Sequence, residues 1–362
     1  MTIYPIIIPT LNRYDHFKAC VESLSKNTHA DKTELIIGLD YPPNEKYEQG
    51  WNAIKEYIPK INGFGKVTVF QHRENLGPAK NTQTLSNYAL SKYDAYIFTE
   101  DDNVFSPCFL DYINKGLERY KNDNTILAIS GYMQPVNFGD TPNGGNVMRL
   151  KSYPAWGIGI WKRSRIEIDT VMQDHYMKYV CSHRRLLLKM KAHLRSLYQL
   201  IFWTKGNPSL DRKCDFTIGC YQIINNKYTI VPIQSLVRNM GYDGSGENCG
   251  SLENNIIAKQ IILQDTRFEI NDRLSPEDNK LLIEKWETWR CDNPTFHFDS
   301  KKKKRVLRYY RAYLYLGYCL AERIIKINHY FKYNKSHIVM VLTHPRYIAG
   351  WLKRKVLTLI NK

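Results

Sequence analysis

The segment Thr99-Glu100-Asp101-Asp102-Asn103 sets three consecutive carboxylates directly after the apolar run AYIF. Carboxylates at the end of a buried strand can hold a hard divalent cation, which keeps several waters and takes its remaining ligands from phosphates. Such a cation, Mn2+ or Mg2+, would offset the charge that grows on a departing diphosphate, acting as Lewis acid and template. An Asp-Asp pair after a strand also reads as an ordinary loop or cap, so the weight comes from its company. Thr10, Asn12 and Arg13 follow one apolar run, Asp40 follows a second, and the stretch from Arg73 to Gly77, with Lys80 just beyond, follows a third.

The elements that must position these residues are legible in the hydrophobic pattern. From Ile3 to Pro9 the chain is almost wholly apolar and rich in β-branched residues, as in a strand covered on both faces. Phe17, Cys20, Val21 and Leu24 recur at helical spacing and predict a helix of about three turns. A strand TELIIGLD, a helical segment through Trp51 and Ile54, a strand KVTVFQ, a helix from Pro78 to Lys92 and the strand AYIFT complete the run. Strand and helix alternating in this way predict an α/β fold with a mostly parallel, doubly wound sheet flanked by helices. Its strand carboxyl ends share one edge, where ligands bind, and all four polar loops fall there.

The block from Ser106 to about Gly250 is less regular: a strand TILAISGY, a Gly-rich loop near Gly139 to Gly145, and the aromatic segment YPAWGIGIWKRSR. Between about Thr170 and Lys205, HRRLLLKMKAHLRSLYQLIFW reads as a basic amphipathic helix, suited to a membrane surface or to packing on the body. Residues 256–300 read as helix plus linker, with SPED at Ser275 to Asp278 as a helix start.

Charge is unevenly distributed. The chain carries 52 Lys+Arg against 35 Asp+Glu, net +17, and almost all of the excess lies in residues 301–362, where basic residues alternate with Tyr, Trp, Leu and Ile. That pattern predicts a near-neutral globular body with a basic, amphipathic α-helical C-terminal extension, suited to an anionic membrane surface or to a solvated or self-packed helical hairpin. Nucleic acid is disfavoured as a partner because no recognised nucleic-acid motif accompanies the charge. With 43% hydrophobic residues the chain can bury a large core, which excludes disorder throughout. No run of about 18 apolar residues occurs, no secretory leader is evident, and the eight cysteines are scattered without zinc spacing. The expectation is a cytoplasmic protein with reduced thiols, peripheral to the inner face of the cell membrane.

The order of these motifs resembles nucleotide-sugar-dependent glycosyltransferases of the GT-A (Rossmann-like) fold, in particular the large bacterial inverting family 2. PIIIPTLNR resembles that family's opening strand and nucleotide loop, and ENLGPAKN its Asn-x-Gly loop. TEDDN resembles its Asp-x-Asp metal motif, in the Glu-Asp-Asp form also found in N-acetylglucosaminyltransferases that build N-glycan branches. YPAWGIGIWKR and the stretch from Cys214 to Cys249 resemble its acceptor loop and catalytic segment. The resemblance implies a nucleotide-sugar-binding half at residues 1–104 and an acceptor-binding half at 105–255, followed by a helical linker at 256–300 and the basic extension at 301–362.

It further implies that Thr10, Asn12, Arg13 and Asp40 line the uridine pocket, with Arg73 and Lys80 near the base or phosphates. Asp102 would meet the metal directly, while Glu100 and Asp101 reach its waters or the sugar and ribose hydroxyls. Asp40 also reads as a turn residue before Pro42 and Pro43. Asp215 matches the family's catalytic base, although the residue before it is commonly Trp there and is Cys214 here; Asp211 and Asp243 are rivals. The loop GYDGSGENC departs from relatives that carry a His near Glu247 or Asn248. Trp156 and Trp161 could stack on a sugar face. The implied activity is inverting, metal-dependent transfer from a UDP-sugar to a glycan or glycolipid acceptor: lipopolysaccharide, capsule or a lipid-linked oligosaccharide. The alternatives are a catalytically silent glycan- or lipid-binding module and a sugar nucleotidyltransferase, the latter lacking its Gly-rich phosphate loop in PTLNRYDHF.

Overall fold

The computed structural model describes residues 1–173, 176, 179–180, 183–193, 214–245 and 256–293. The first strand, β1 (Ile6–Thr10), leads into α1 (Tyr14–Ser25), β2 (Glu34–Leu39), α2 (Glu48–Tyr57), β3 (Lys66–Gln71), α3 (Gly77–Lys92) and β4 (Ala95–Phe98). These match the expected alternation closely. The four apolar positions of α1, Phe17, Cys20, Val21 and Leu24, are all buried, each burial contributing roughly 1.5–3 kcal/mol for the larger side chains. β1 and β2 are hydrophobic on both faces because helices cover both sides of the sheet.

The second half supplies β5 (Asn103–Phe105), α4 (Phe109–Arg119), β6 (Ile126–Ser130), β7 (Val147–Leu150), β8 (Ile158–Trp161), α5 (Lys162–Gln173), α6 (Arg184–His193), α7 (Cys214–Asn225), β9 (Tyr228–Pro232), β10 (Val237–Asn239) and α8 (Pro276–Asp292). One eight-stranded sheet has the order β3-β2-β1-β4-β8-β6-β9-β7. β3, β2, β1 and β4 are parallel, β8 inserts antiparallel between β4 and β6, and β7 is antiparallel to β9. Both halves therefore build one sheet. β5 and β10 form a separate antiparallel ribbon with Asn103 opposite Asn239.

Several expectations need correction. Trp161 is a core residue: it is buried, and its indole N–H donates to the Leu117 carbonyl, so it cannot stack on a sugar. The helical stretch after Thr170 begins earlier, at Lys162, and among the described residues it comprises α5 and α6. α6 packs on the body, with Met190 buried and Leu186 packed on the same cluster as Trp286. The described part of the segment after residue 256 packs on the body. Phe268 enters the main core, and Asp272 accepts hydrogen bonds from Arg119 and Tyr120. α8 starts at SPED as expected, and Ser275 and Asp278 form a capping box there. The basic extension lies outside the described residues, as do Asp211, Glu247 and Asn248. No helix among the described residues is long and apolar enough to cross a membrane.

Candidate active site

Parallel pairing of β1 with β4 aligns Ile6 with Ile97 and Ile7 with Phe98. The loop after β1 therefore meets the loop after β4 at the carboxyl edge, and the contact is dense. The Thr10 hydroxyl donates to Asp101 Oδ2 at 2.8 Å. Arg13 donates through Nη2 to Asp101 Oδ1 and through Nη1 to Asp102 Oδ2, the latter at 2.9 Å. Burial pulls the guanidinium's pKa down, but the charges of Asp101 and Asp102 outweigh it and hold Arg13 protonated. Asp101 is itself pushed upward, by burial first and by Asp102, with Arg13 and Thr10 opposing.

The β5–β10 ribbon closes the other side. Because Asn103 and Asn239 are register partners, Asn239 Nδ2 reaches both Asp102 Oδ1 at 2.8 Å and Asn103 Oδ1 at 3.0 Å. Its own amide oxygen accepts from the Gly241 N–H, and the Met240 N–H donates to the Asp102 carbonyl at 2.7 Å. Gly241 is required by the close approach: a Cβ there would lie 2.2 Å from Asp102 Oδ2. Asn239 and Gly241 were missed in the sequence because nothing local marks them; only the ribbon register brings them to Asp102.

Glu100 faces the open side. Its Oε2 accepts from the Trp156 indole at 3.1 Å, and Trp156 stands edge-to-face with Tyr132, ring centroids 4.6 Å apart. Solvent reaches Glu100, but protein walls surround it elsewhere. The desolvation they cause, then the charges of Asp102, Asp215 and Asp101, push its carboxyl up to about 8, with Arg13 opposing. Asp215, exposed in the first turn of α7, is thereby within electrostatic reach of the acidic cluster. Its rival Asp243 is engaged elsewhere, pairing with His16 on α1 at 2.8 Å and accepting from Ser245. Burial opposes, but the Ser245 and His16 hydrogen bonds draw Asp243 down to about 2.

The remaining expected residues sit beside this centre. Asp40 is buried, and its carboxylate accepts from the N–H groups of Tyr41, Leu76 and Gly77. It thus satisfies the orphan donors at the start of α3, where Gly77 adopts a left-handed conformation with φ of 73°. Its backbone N–H also ties it to the Thr10 carbonyl at 2.9 Å. Asn12 is half-buried in the loop before α1, while Arg73 and Lys80 are exposed on the loop and first turn leading into α3. Neither of these two makes an ion pair among the described residues.

The donor set suits a hard cation. Asp101 and Asp102 share one guanidinium, with the Glu100 carboxyl beside them, leaving an excess of negative charge that a cation would relieve. Among the described residues no group of three or more Asp, Glu, His or Cys side chains could hold an ion by itself. A hard cation held by one or two carboxylates takes the rest of its shell from phosphate oxygens and water.

A mostly parallel sheet flanked by helices, with an acidic cluster at its carboxyl edge, is consistent with a GT-A fold. The sequence profile described as "Glycosyl transferase family 2" matches residues 6–228, and the chain belongs to that family of nucleotide-sugar-dependent glycosyltransferases. This sets aside the nucleotidyltransferase alternative. No curated protein matches the chain. Among solved structures, the chain is similar to the mannosyltransferase PcManGT from Pyrobaculum calidifontis in complex with GDP-Man and Mn2+, at 17% identity, covering 44% of each chain, with a TM-score of 0.33. It is also similar to S. aureus TarS 1-349 in complex with UDP, at 16% identity over 47% of this chain and 49% of that one, with a TM-score of 0.34. The chain thus spans just under half the length of these structures.

Proposed function

We propose that this glycosyltransferase acts with inversion, moving a sugar from a UDP-sugar to a hydroxyl of a surface-glycan acceptor such as a lipopolysaccharide, capsule or lipid-linked oligosaccharide. The observation that carries the reading is the position of Asp215. It comes from a separate element, α7, yet its charge acts on Glu100 beside Asp101 and Asp102. A carboxylate able to take a proton, with its charge felt by the acidic cluster, supports direct displacement at an anomeric carbon. The Asp215 carboxylate takes the acceptor hydroxyl's proton as that oxygen bonds to the anomeric carbon. The bond from that carbon to the diphosphate breaks, and its electron pair leaves with the diphosphate. Asp243 is engaged by Ser245 and His16, whose hydrogen bonds outweigh burial and draw it down to about 2, which makes it a weak proton acceptor.

A divalent cation, Mn2+ or Mg2+, would be held by Asp102, with Glu100 near its waters or the sugar hydroxyls. Bound there, it would supply Lewis-acid neutralisation of the departing diphosphate. Asp101, tied to Thr10 and Arg13, keeps the loop after β1 in place. The uridine would lie along that loop, beside Thr10, Asn12 and Asp40, with Arg73 and Lys80 toward the base or phosphates. Trp156, anchored by its indole hydrogen bond to Glu100, offers a ring to the sugar face. The basic segment 301–362 is proposed to hold the protein at the anionic inner face of the membrane, where a lipid-anchored acceptor would lie.

The test is a screen of donor hydrolysis and transfer with Mn2+ across UDP-, GDP- and CMP-sugars, repeated with Asp215→Asn. One UDP-sugar should stand out, and the variant should lose about 10²–10⁴ in turnover while donor binding is kept. An unchanged rate removes Asp215 as the base. A product that retains the donor's anomeric configuration rules out inversion.

A further inference from the structure

Each carboxylate of the buried pair has two kinds of partner. Asp101 is held by Thr10 and Asp102 by Asn239, both through short neutral donors fixed on the sheet edge or the ribbon. Arg13 is different: it bridges both carboxylates from the end of a long side chain that is 21% exposed. It stands on the loop before α1, where it makes no side-chain cap for that helix. Removing the guanidinium would therefore leave Asp101 and Asp102 still oriented, with Asp102 Oδ2 open.

We propose that Arg13 is the resident counter-ion of the acidic cluster, filling the place that a divalent cation takes and turning to the donor's diphosphate when the cation arrives. The inference rests on the cation reading above. Its physical basis is charge balance. Two adjacent buried carboxylates without a cation repel each other and are costly to keep ionised, so the protein without ligand needs a positive charge between them. The guanidinium is suited to exchange partners because its planar fork matches a carboxylate pair and phosphate oxygens equally. Arg13 is thus a positioning residue: it keeps the empty site ordered, competes with free cation, and makes cation binding favour the presence of the donor.

The test measures binding of Mn2+ alone to the purified full chain, by the loss of the free-ion paramagnetic resonance signal, then repeats it with UDP. Arg13→Gln should bind Mn2+ without nucleotide at least tenfold more tightly than the natural chain, and UDP should add less to that affinity than it adds in the natural chain. Without cation the variant should melt at a lower temperature, and Mn2+ should restore more of that loss than it gives the natural chain. Arg13→Lys covers the case in which the glutamine variant fails to fold. A lysine is shorter and lacks the planar fork that engages both carboxylates at once, so its Mn2+ affinity should also exceed the natural one. A folded variant with equal or weaker Mn2+ affinity overturns the proposal while the cation reading stands. If the natural chain and the folded variants bind no Mn2+ even with UDP or GDP present, the cation reading fails and the proposal falls with it.

Discussion

Asn239→Ala isolates the part of the site that the ribbon builds. The side chain is 1% exposed and makes three hydrogen bonds: to Asp102 Oδ1, to Asn103 Oδ1 and from the Gly241 N–H. A hydrogen bond to a charged group contributes about 1.5–3 kcal/mol, and a buried donor left unpaired costs about 1–3 kcal/mol. These terms overlap, so a total of about 3 kcal/mol of lost stability is expected in urea unfolding. The same change frees Asp102 to rotate. Loss of an outer hydrogen bond to a metal-binding carboxylate costs about 10–100-fold in metal affinity, read here as Mn2+-dependent UDP binding by calorimetry. Asn239→Asp should be worse than Ala for binding, since it sets a like charge against Asp102. Unfolding at natural stability would refute the packing argument. Lowered stability with cation-dependent nucleotide binding intact would refute the claim that Asn239 orients Asp102.

Other outcomes follow from single contacts. Asp102→Ala should abolish the Mn2+-dependent part of UDP binding, measured by calorimetry with and without the ion; retention of that part would remove Asp102 as a ligand. Gly241→Ala should displace the Asp102 carboxylate, because its Cβ would stand 2.2 Å from Oδ2, and should lower Mn2+-dependent UDP binding in a protein that still melts cooperatively. Glu34 concerns stability. Burial pushes this carboxyl up, but hydrogen bonds from Thr68, Lys66 and Tyr93 outweigh it and hold it below the ordinary value of 4.5. A depressed carboxylate contributes stability that is present above its unfolded value and lost as pH falls through its folded one. Glu34→Gln should therefore lose about 1 kcal/mol at neutral pH, and the gap to the natural chain should close below about pH 4.5. A gap independent of pH would refute the assignment.

The parts of the fold that were legible in advance share one property: their signals are local. Phe17 to Leu24 repeat at helical spacing, the runs before Thr10 and Asp40 are too apolar for anything but covered strands, and Ser275 with Asp278 forms a capping box within four residues. What stayed hidden depends on pairing between distant segments. β8 enters the sheet antiparallel between β4 and β6, which no periodicity in IGIW announces. β5 and β10 are three residues each and stabilise one another only across the ribbon. Trp161 reads the same in sequence whether it faces a sugar or, as it does, the Leu117 carbonyl.

The site divides along the same line. The sequence by itself determined the class of chemistry, because residue type and strand position already place carboxylates, a guanidinium and hydroxyl donors on one edge of a parallel sheet. It also determined that Asp101 and Asp102 would stand together, since neighbours in the chain cannot be far apart. Only the tertiary structure decided what each carboxylate does. Burial, register and partner geometry commit Asp40 to the start of α3 and Asp243 to His16, bring Asn239 to Asp102, and let Asp215 act on Glu100. Those assignments join residues up to 227 positions apart, and hydrogen-bond and charge energies between them are set by how the elements pack, not by where they lie in the chain.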